Sequence, residues 1–344
     1  MKIAIPLLGF GRAGGQRVLS RLASELSILG HDVYIFVPGD GVEPYYPTSA
    51  TIINTVKKKS RSKIFNLLHN YFKLWLAIKD KDVDVVIANH HLTAYIVALL
   101  PNKVQKYYYV QAYEVVFGYN IISKMLAYFT YLLPLKKIVN SETILPPPIN
   151  KFIGVVPAGI DMDIFYPRDN VSCDIKTIGL VGRKEPHKGT RDIIQVLCRW
   201  GQNKNIIVNI AVYLSNSDKA LLDRHGIEYH FYEISNDTQL ANFYRLNELV
   251  IATGLVEDGA FHYPCAEAMA CGCLVISNYA PLTSSSSHYK LATFDPTILE
   301  QKLNKYIDAT RFDIDAELKD NHKIISNYSW EIVSKKFNSY LHKI

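Results

Sequence analysis

Two cations, one carboxylate and a few glycines are the residues of this 344-residue chain whose types and spacing suit chemistry. Arg183 and Lys188 lie in the run GRKEPHKG, bracketed by Gly182 and Gly189, just after the apolar stretch Thr177 to Val181. A helix is expected to open next, with Thr190 as its N-cap. Surface cations usually serve solvation, but a pair at a glycine-bounded strand-to-helix turn suits a phosphate, because free backbone N–H groups and the helix dipole converge there. Glu267 follows Tyr263-Pro264, a natural helix start, and falls in the expected first turn. There it either complements the dipole or accepts two hydrogen bonds from a vicinal diol such as that of a ribose. Gly9, Gly11 and Gly14 spell G-x-G-x-x-G after an apolar strand, and Asp40 stands beyond the next strand as a possible ribose-binding acid. That arrangement is the dinucleotide fingerprint of a nicotinamide-dependent oxidoreductase.

The elements that must hold these residues read as alternating strands and helices. Leu249 to Ser277 runs from a buried strand (Leu249 to Ala252) through an acidic loop to a short helix near Pro264, a stop at Gly272 and a second strand, Leu274 to Ile276. The loop before Pro264 therefore sits at the carboxyl end of a strand, where open α/β sheets bind ligands. In the first half, strands are expected at 2–8, 32–37, 83–88 and 106–110, with a helix from about Arg17 to Leu29 that Gly30 ends. The third of these strands delivers Asn89, His90 and His91, and the fourth delivers Gln111 and Glu114. Asp82-Val83-Asp84 imitates a D-x-D metal motif but stands at the entry of a strand, so it reads as structural punctuation. Residues 57 to 79 hold seven Lys and Arg and no acid, and Phe65, Leu68, Phe72, Trp75 and Leu76 recur at helical spacing. This segment is either a core-packing helix with a cationic outer face or a contact for anionic lipid headgroups, and Ile121 to Lys137 is a second candidate.

The string PCAEAMACGCLVIS closely resembles the signature of retaining GT-B glycosyltransferases of the group 1 or family 4 type, E-G-F-G-x-P-x-x-E-A-M-A-x-G-x-P-V-I. Phe261, Pro264, Glu267, Ala268, Met269, Ala270, Gly272, Val275 and Ile276 fall on it. GRKEPHKG resembles the family's G-R-x-x-x-x-K-G, LASELSILGHDVYIFV its L-A-x-E-L-x-x-x-G-H-x-V, and VVPAGIDMDIFYP its inter-domain connector, with Ala158 in place of Asn. The resemblance implies two Rossmann-like domains facing across a cleft. An acceptor-binding domain would span 1–155 with a returning C-terminal helix at about 330–344, and a donor-binding domain would span 156–329. It further implies sugar transfer from a nucleotide-diphosphate donor to a glycan or lipid-linked acceptor, in surface polysaccharide or glycoconjugate synthesis, with no metal and no cofactor. The catalytic residues would be Arg183, Lys188, Glu257 and Gln111. Donor contacts would come from Gly14, Gly15, Gly182, Arg183, Lys188, Glu257, Asp258, Gly259, Ala260, Phe261, His262 and Glu267. The chain departs from the pattern at three of these places. Gly259 stands where the family has its first Glu, with Glu257 and Asp258 the nearest acids; His262 replaces a Gly; and Gln111 occupies the region where many members carry a His.

Length and composition narrow the rest. A chain of this size suits two domains, and its apolar content of 49% argues against extensive disorder. The first 150 residues carry 17 Lys and Arg against 9 Asp and Glu, whereas the remainder carries 21 against 23, so the basicity belongs to the first half. No secretory leader or membrane-spanning run is expected, which places the chain in the cytoplasm, with contact to the inner membrane face through 57–79. No nucleic-acid module is present. Cys265, Cys271 and Cys273 match no zinc or redox spacing and read as reduced core thiols. Besides the oxidoreductase, a non-catalytic glycan- or lipid-binding subunit with the same fold is the remaining alternative.

Overall fold

The computed structural model describes every residue except 12–13, 40, 42, 57–61, 168–175, 257–258 and 343–344, and the side chains of 63 and 64. The chain divides into two compact units, one formed by Met1–Gly159 with Trp330–Ile344 and the other by Ile160–Ser329.

The first unit is built on seven parallel strands: β1 (Lys2–Pro6), β2 (Asp32–Pro38), β3 (Thr51–Thr55), β4 (Val85–Ala88), β5 (Gln105–Val110), β6 (Lys136–Val139) and β7 (Gly154–Val155). Their order is β3-β2-β1-β4-β5-β6-β7, and every pairing is parallel. Helices α1 (Gly14–Ile28), α2 (Lys63–Asp80), α3 (His91–Ala98) and α4 (Ile121–Thr130) link them. Side chains alternate across a strand, so one run can feed two cores. In β5, Tyr108 and Val110 join the core with Leu74 and Ile78 of α2 and Val97 of α3. Tyr107 and Tyr109 point the other way, where Tyr107 Oη donates to the Tyr340 carbonyl at 3.1 Å and Tyr109 packs edge-on against Phe337. Tyr340 and Phe337 belong to the C-terminal helix, Trp330–Leu341, which also packs on α1. Both faces of the sheet are thereby covered, as an all-parallel sheet requires.

The second unit repeats the plan with β8 (Lys176–Val181), β9 (Ile206–Ala211), β10 (Tyr229–Tyr232), β11 (Leu249–Ile251) and β12 (Leu274–Ile276), in the parallel order β10-β9-β8-β11-β12. Its helices are α5 (Thr190–Trp200), α6 (Asn216–Arg224), α7 (Asp237–Arg245), α8 (Tyr263–Ala270), α9 (Pro296–Asp308) and α10 (Arg311–Ile325); the C-terminal helix is α11. Ile178, Leu180, Leu249, Ile251, Leu274 and Ile276 face α5 and α9, while Val250, Ala252 and Val275 face α7 and α8. Four cysteines, Cys198, Cys265, Cys271 and Cys273, are buried free thiols.

Two local expectations change. Thr190 is the first residue of α5 rather than its cap; the cap is Gly189, at φ 71°, and the Thr190 hydroxyl accepts the Arg183 N–H at 2.8 Å. In α2 the core side is Leu74 and Ile78, whereas Phe65, Leu68 and Phe72 are exposed, so most of the stripe read from the sequence does not pack inward. Asp84 keeps its structural role by accepting the Lys2 N–H at 2.7 Å at the entry edge of the sheet.

The seat of α11 offers a direct check. A Cβ on Gly159 would lie 2.4 Å from Cδ2 of the buried Trp330 ring, whereas one on Gly9 would meet nothing within 4 Å. Gly159→Ala should cost about 1–3 kcal/mol by overpacking, and Gly9→Ala less than about 0.5 kcal/mol. Urea midpoints measure both; equal midpoints would mean that Trp330 is not held against Gly159.

Candidate active site

In an open parallel sheet, loops leave the carboxyl ends of strands on opposite sides where the strand order reverses, and ligands bind in the gap. In the second unit that reversal lies between β8 and β11. Beyond β8 comes Gly182, where a Cβ would stand 1.9 Å from the Tyr213 carbonyl oxygen; only glycine lets the chain pass. Arg183 follows, exposed, and a short 3-10 turn at Pro186–Lys188 brings Lys188 back half-buried before Gly189 turns into α5. Among the described residues neither cation forms an ion pair.

The loop beyond β11 is tied to the first. Leu255 N–H donates to the His187 carbonyl at 3.0 Å, and the Asn278 side chain clasps Gly254 by accepting its N–H at 3.1 Å and donating to its carbonyl at 2.8 Å. Glu257 and Asp258 lie outside the described residues. Gly259 adopts φ 78°, and residues 259–262 run as an extended strip along 278–280: Gly259 N–H donates to Asn278, Ala280 N–H to Ala260, and His262 N–H to Ala280. Phe261 stacks on Tyr328, and the His262 ring packs on Tyr279 with centroids 4.4 Å apart. Burial, reinforced by the positive charges of Lys188 and Arg183, holds His262 well below the usual histidine range. Its Nδ1 is sealed with no hydrogen-bond partner among the described residues. That charge field brings His262 into one electrostatic neighbourhood with the two cations.

Glu267 is the fifth residue of α8, not a first-turn residue, because the helix begins at Tyr263. Dipole complementation therefore does not explain it. It is 1% exposed and accepts the Tyr244 hydroxyl at 3.2 Å; burial and the Glu267 charge push the Tyr244 phenol well above its ordinary value.

The first unit reverses between β1 and β4, and the carboxyl ends of β1, β4 and β5 surround a cavity of about 570 Å³. Gly15, Asn89, Gln111 and Ser123 line it, and a Cβ on Gly15 would lie 3.4 Å from Gln111 Oε1, so the expected Gly15 and Gln111 meet there. Gly14 is the first, exposed residue of α1. Asp40, the acid of the dinucleotide reading, lies outside the described residues. The sequence reading placed His90, His91 and Glu114 on separate segments and did not join them. The fold does: their ligand-type atoms lie within 4.8 Å of one another, the one such three-residue group among the described residues. Burial alone would raise the Glu114 pKa, but hydrogen bonds from His91 and the His90 charge outweigh it and hold the carboxyl below the ordinary value.

Two parallel, doubly covered sheets with ligand loops at their reversals define a GT-B fold, and structural comparison agrees. Sucrose-phosphate synthase from Thermosynechococcus elongatus superposes with a TM-score of 0.77 at 16% identity, over 98% of each chain. HepE from Anabaena, in complex with UDP and glucose, does so at 0.76 and 14% over 100% of each. WaaG, a glycosyltransferase involved in lipopolysaccharide biosynthesis, does so at 0.71 and 16% over 99% of this chain and 100% of its own. No curated protein matches the chain by sequence. Residues 12–110 match the model of Glycosyltransferase Family 4, and the fold of the chain is GT-B.

The His262 environment predicts a pH dependence. An imidazole whose native pKa is depressed binds its proton more weakly folded than unfolded, so its contribution to stability is complete above about 6.5 and is lost as pH falls toward the native value. His90 in the first unit is depressed too, mainly by burial, so the readout is the difference between wild type and His262→Gln. The melting temperature should fall less in the variant between about pH 7 and pH 5; parallel slopes would show that His262 is not the titrating group.

Proposed function

We propose that the protein is a retaining glycosyltransferase that uses a nucleotide-diphosphate sugar, with the donor on the second unit and the acceptor on the first. The observation that carries this reading is the pair Arg183 and Lys188, two cations without a described carboxylate partner, at the strand reversal of the second unit and next to the N-terminus of α5. Negative charge accumulates on a diphosphate as the glycosidic bond breaks, and preorganised cations stabilise it most at that moment. HepE has been solved with UDP and with UDP-glucose, which supports a nucleotide-sugar donor here. In this reading Glu267, whose carboxylate neighbours Tyr244, holds the ribose, and the strip Gly259, Ala260, Phe261 and His262 grips the sugar. Glu257 or Asp258 supplies the acid that Gly259 cannot. In this reading the fingerprint glycines Gly9, Gly11 and Gly14 lie in the acceptor unit, and the family match over residues 12–110, which takes in Gly14, supports that over a nicotinamide site.

Thermal shift against UDP-, GDP- and dTDP-sugars tests donor binding, because a ligand of the native state alone raises stability by RT ln(1 + [L]/Kd). Protection should persist in EDTA, since the proposed diphosphate partners are side chains. With the active donor, Lys188→Ala should lower kcat at saturation by on the order of 10² to 10³-fold. Arg183→Lys should also be costly, because an ammonium cannot reproduce the guanidinium fork. A change in donor KM alone would sink the leaving-group role, and NADH protection without any nucleotide-sugar effect would restore the oxidoreductase reading.

The same proposal includes a lipid surface as partner. No helix among the described residues is long and apolar enough to cross a membrane. The exposed Phe65, Leu68 and Phe72 of α2 accompany Lys73 and Lys79 on a segment with no acid before Asp80, which suits anionic headgroups. Binding to vesicles containing phosphatidylserine should weaken with salt and with Phe72→Ser. Equal binding to neutral vesicles would refute it.

A further inference from the structure

Glu114 is the hub of the cavity in the first unit. Its Oε1 accepts the Tyr108 hydroxyl at 2.8 Å, and both oxygens accept the His91 backbone N–H at 3.0 Å. Its Oε2 also faces His91 Nδ1 at 2.5 Å and His90 Nε2 at 3.3 Å. A carboxylate offers about four lone-pair directions, so these donors occupy it.

The tautomers follow from the partners. His90 Nδ1 accepts the Leu92 N–H at 3.2 Å as part of the cap of α3, so the ring proton sits on Nε2, toward Glu114. His91 must carry its proton on Nδ1 to donate to the same carboxylate. Its other nitrogen, Nε2, makes no hydrogen bond among the described residues, and His91 lines the cavity. The same accounting disfavours a metal ion. Ligation by His90 Nε2 would force a proton onto Nδ1, directly against the Leu92 N–H that it accepts. The three side chains make a proton-ordered network rather than a ligand set.

The cavity is lined by the polar His91, Asn89, Gln111 and Ser123 and by the aromatic Phe117 and Tyr119. Chain continuity leads from these two to Ile121 and Ile122 at the start of α4, 74% and 66% exposed, and on to the exposed Met125, Leu126 and Phe129. Helix α4 carries one lysine, the exposed Lys124, and no acid. A polar lining that continues along the chain into exposed apolar residues is complementary to an amphiphile and not to a purely soluble glycan.

We propose that this cavity takes the hydroxylated head of an amphiphilic acceptor, that His91 Nε2 accepts a hydrogen bond from one of its hydroxyls, and that its apolar part lies along Phe117, Tyr119, Ile121 and Ile122. Calling the ligand an acceptor rests on the glycosyltransferase reading; the cavity, the tautomer and the apolar rim do not.

The test uses the full chain labelled with ¹⁵N-histidine and a panel of octyl glucoside, octyl galactoside and octyl maltoside below their micellar concentrations, each against its methyl counterpart. Long-range ¹H–¹⁵N spectra should show His91 as the Nδ1–H tautomer with a bare Nε2, whose resonance shifts when the octyl glycoside binds. The octyl compound should bind at least about tenfold more tightly than the methyl one, since two or three buried methylenes are enough for that. Ile122→Asn should erase the preference, and His91→Gln should weaken both compounds alike. Equal affinities for octyl and methyl glycosides, or no binding by any of the panel, would overturn the amphiphile. A protonated Nε2, or one Zn(II) bound per chain and lost in His90→Ala, would overturn the network. UDP-sugar protection measured on the same samples keeps the two readings apart, because its absence with alkyl glycoside binding intact would remove only the enzyme reading.

Discussion

Everything chemical in this protein depends on a backbone constraint: a parallel ladder whose order reverses beside its first strand. Pairing Leu249 with Ile178 and Ile251 with Leu180 puts β11 against β8, while β9 takes the other side. The connections from β8 and β11 must then leave in opposite directions, and the space between them has to be filled by loops rather than by helices. Those loops carry Arg183, Lys188 and the strip from Gly259 to His262. The first unit obeys the same rule with β1 and β4, and there the loops bring Gly15, Gln111, His91 and Glu114 together.

Close approach of backbone is the second constraint, and it explains why small residues crowd these turns. Gly182 passes under the Tyr213 carbonyl, and a Cβ on Gly254 would lie 2.2 Å from the Tyr279 hydroxyl. Neither glycine is there for flexibility. Each admits another main chain or ring into space that a Cβ would fill, and so fixes where the adjacent polar side chains emerge.

Charge is handled differently in the two units. The Glu114 carboxylate is held by neighbours from two segments, Tyr108 of β5 and the pair His90 and His91, which makes it a rigid reference for the two imidazoles. In the second unit the two cations lack described carboxylate partners, and the neutral His262 sits in their field. Saturated hydrogen bonding fixes geometry; uncompensated positive charge prepares a place for an anion.

The sequence by itself determined strands β1, β2, β4, β5, β8, β11 and β12, helices α1, α2, α5 and α8 and the glycine-bounded turn at 182–189, because the relevant physics is local. Apolar runs of four to six residues, glycines at turns and a proline opening a helix all act within a few residues of chain. It also fixed where the chain departs from its resemblance, at Gly259, His262 and Gln111. What it could not settle depends on contacts far apart in sequence. Glu267 looked like a dipole partner until the helix start moved it inward beside Tyr244, and Thr190 looked like a cap until its hydroxyl was found on the Arg183 N–H. Phe65, Leu68 and Phe72 have the spacing of a buried stripe, yet the sheet meets α2 on the side of Leu74 and Ile78, and only packing decides which face that is. His91 and Glu114 are 23 residues apart, on loops after different strands, with no spacing rule to pair them. Their meeting follows from the adjacency of β4 and β5, a tertiary fact that no local pattern carries.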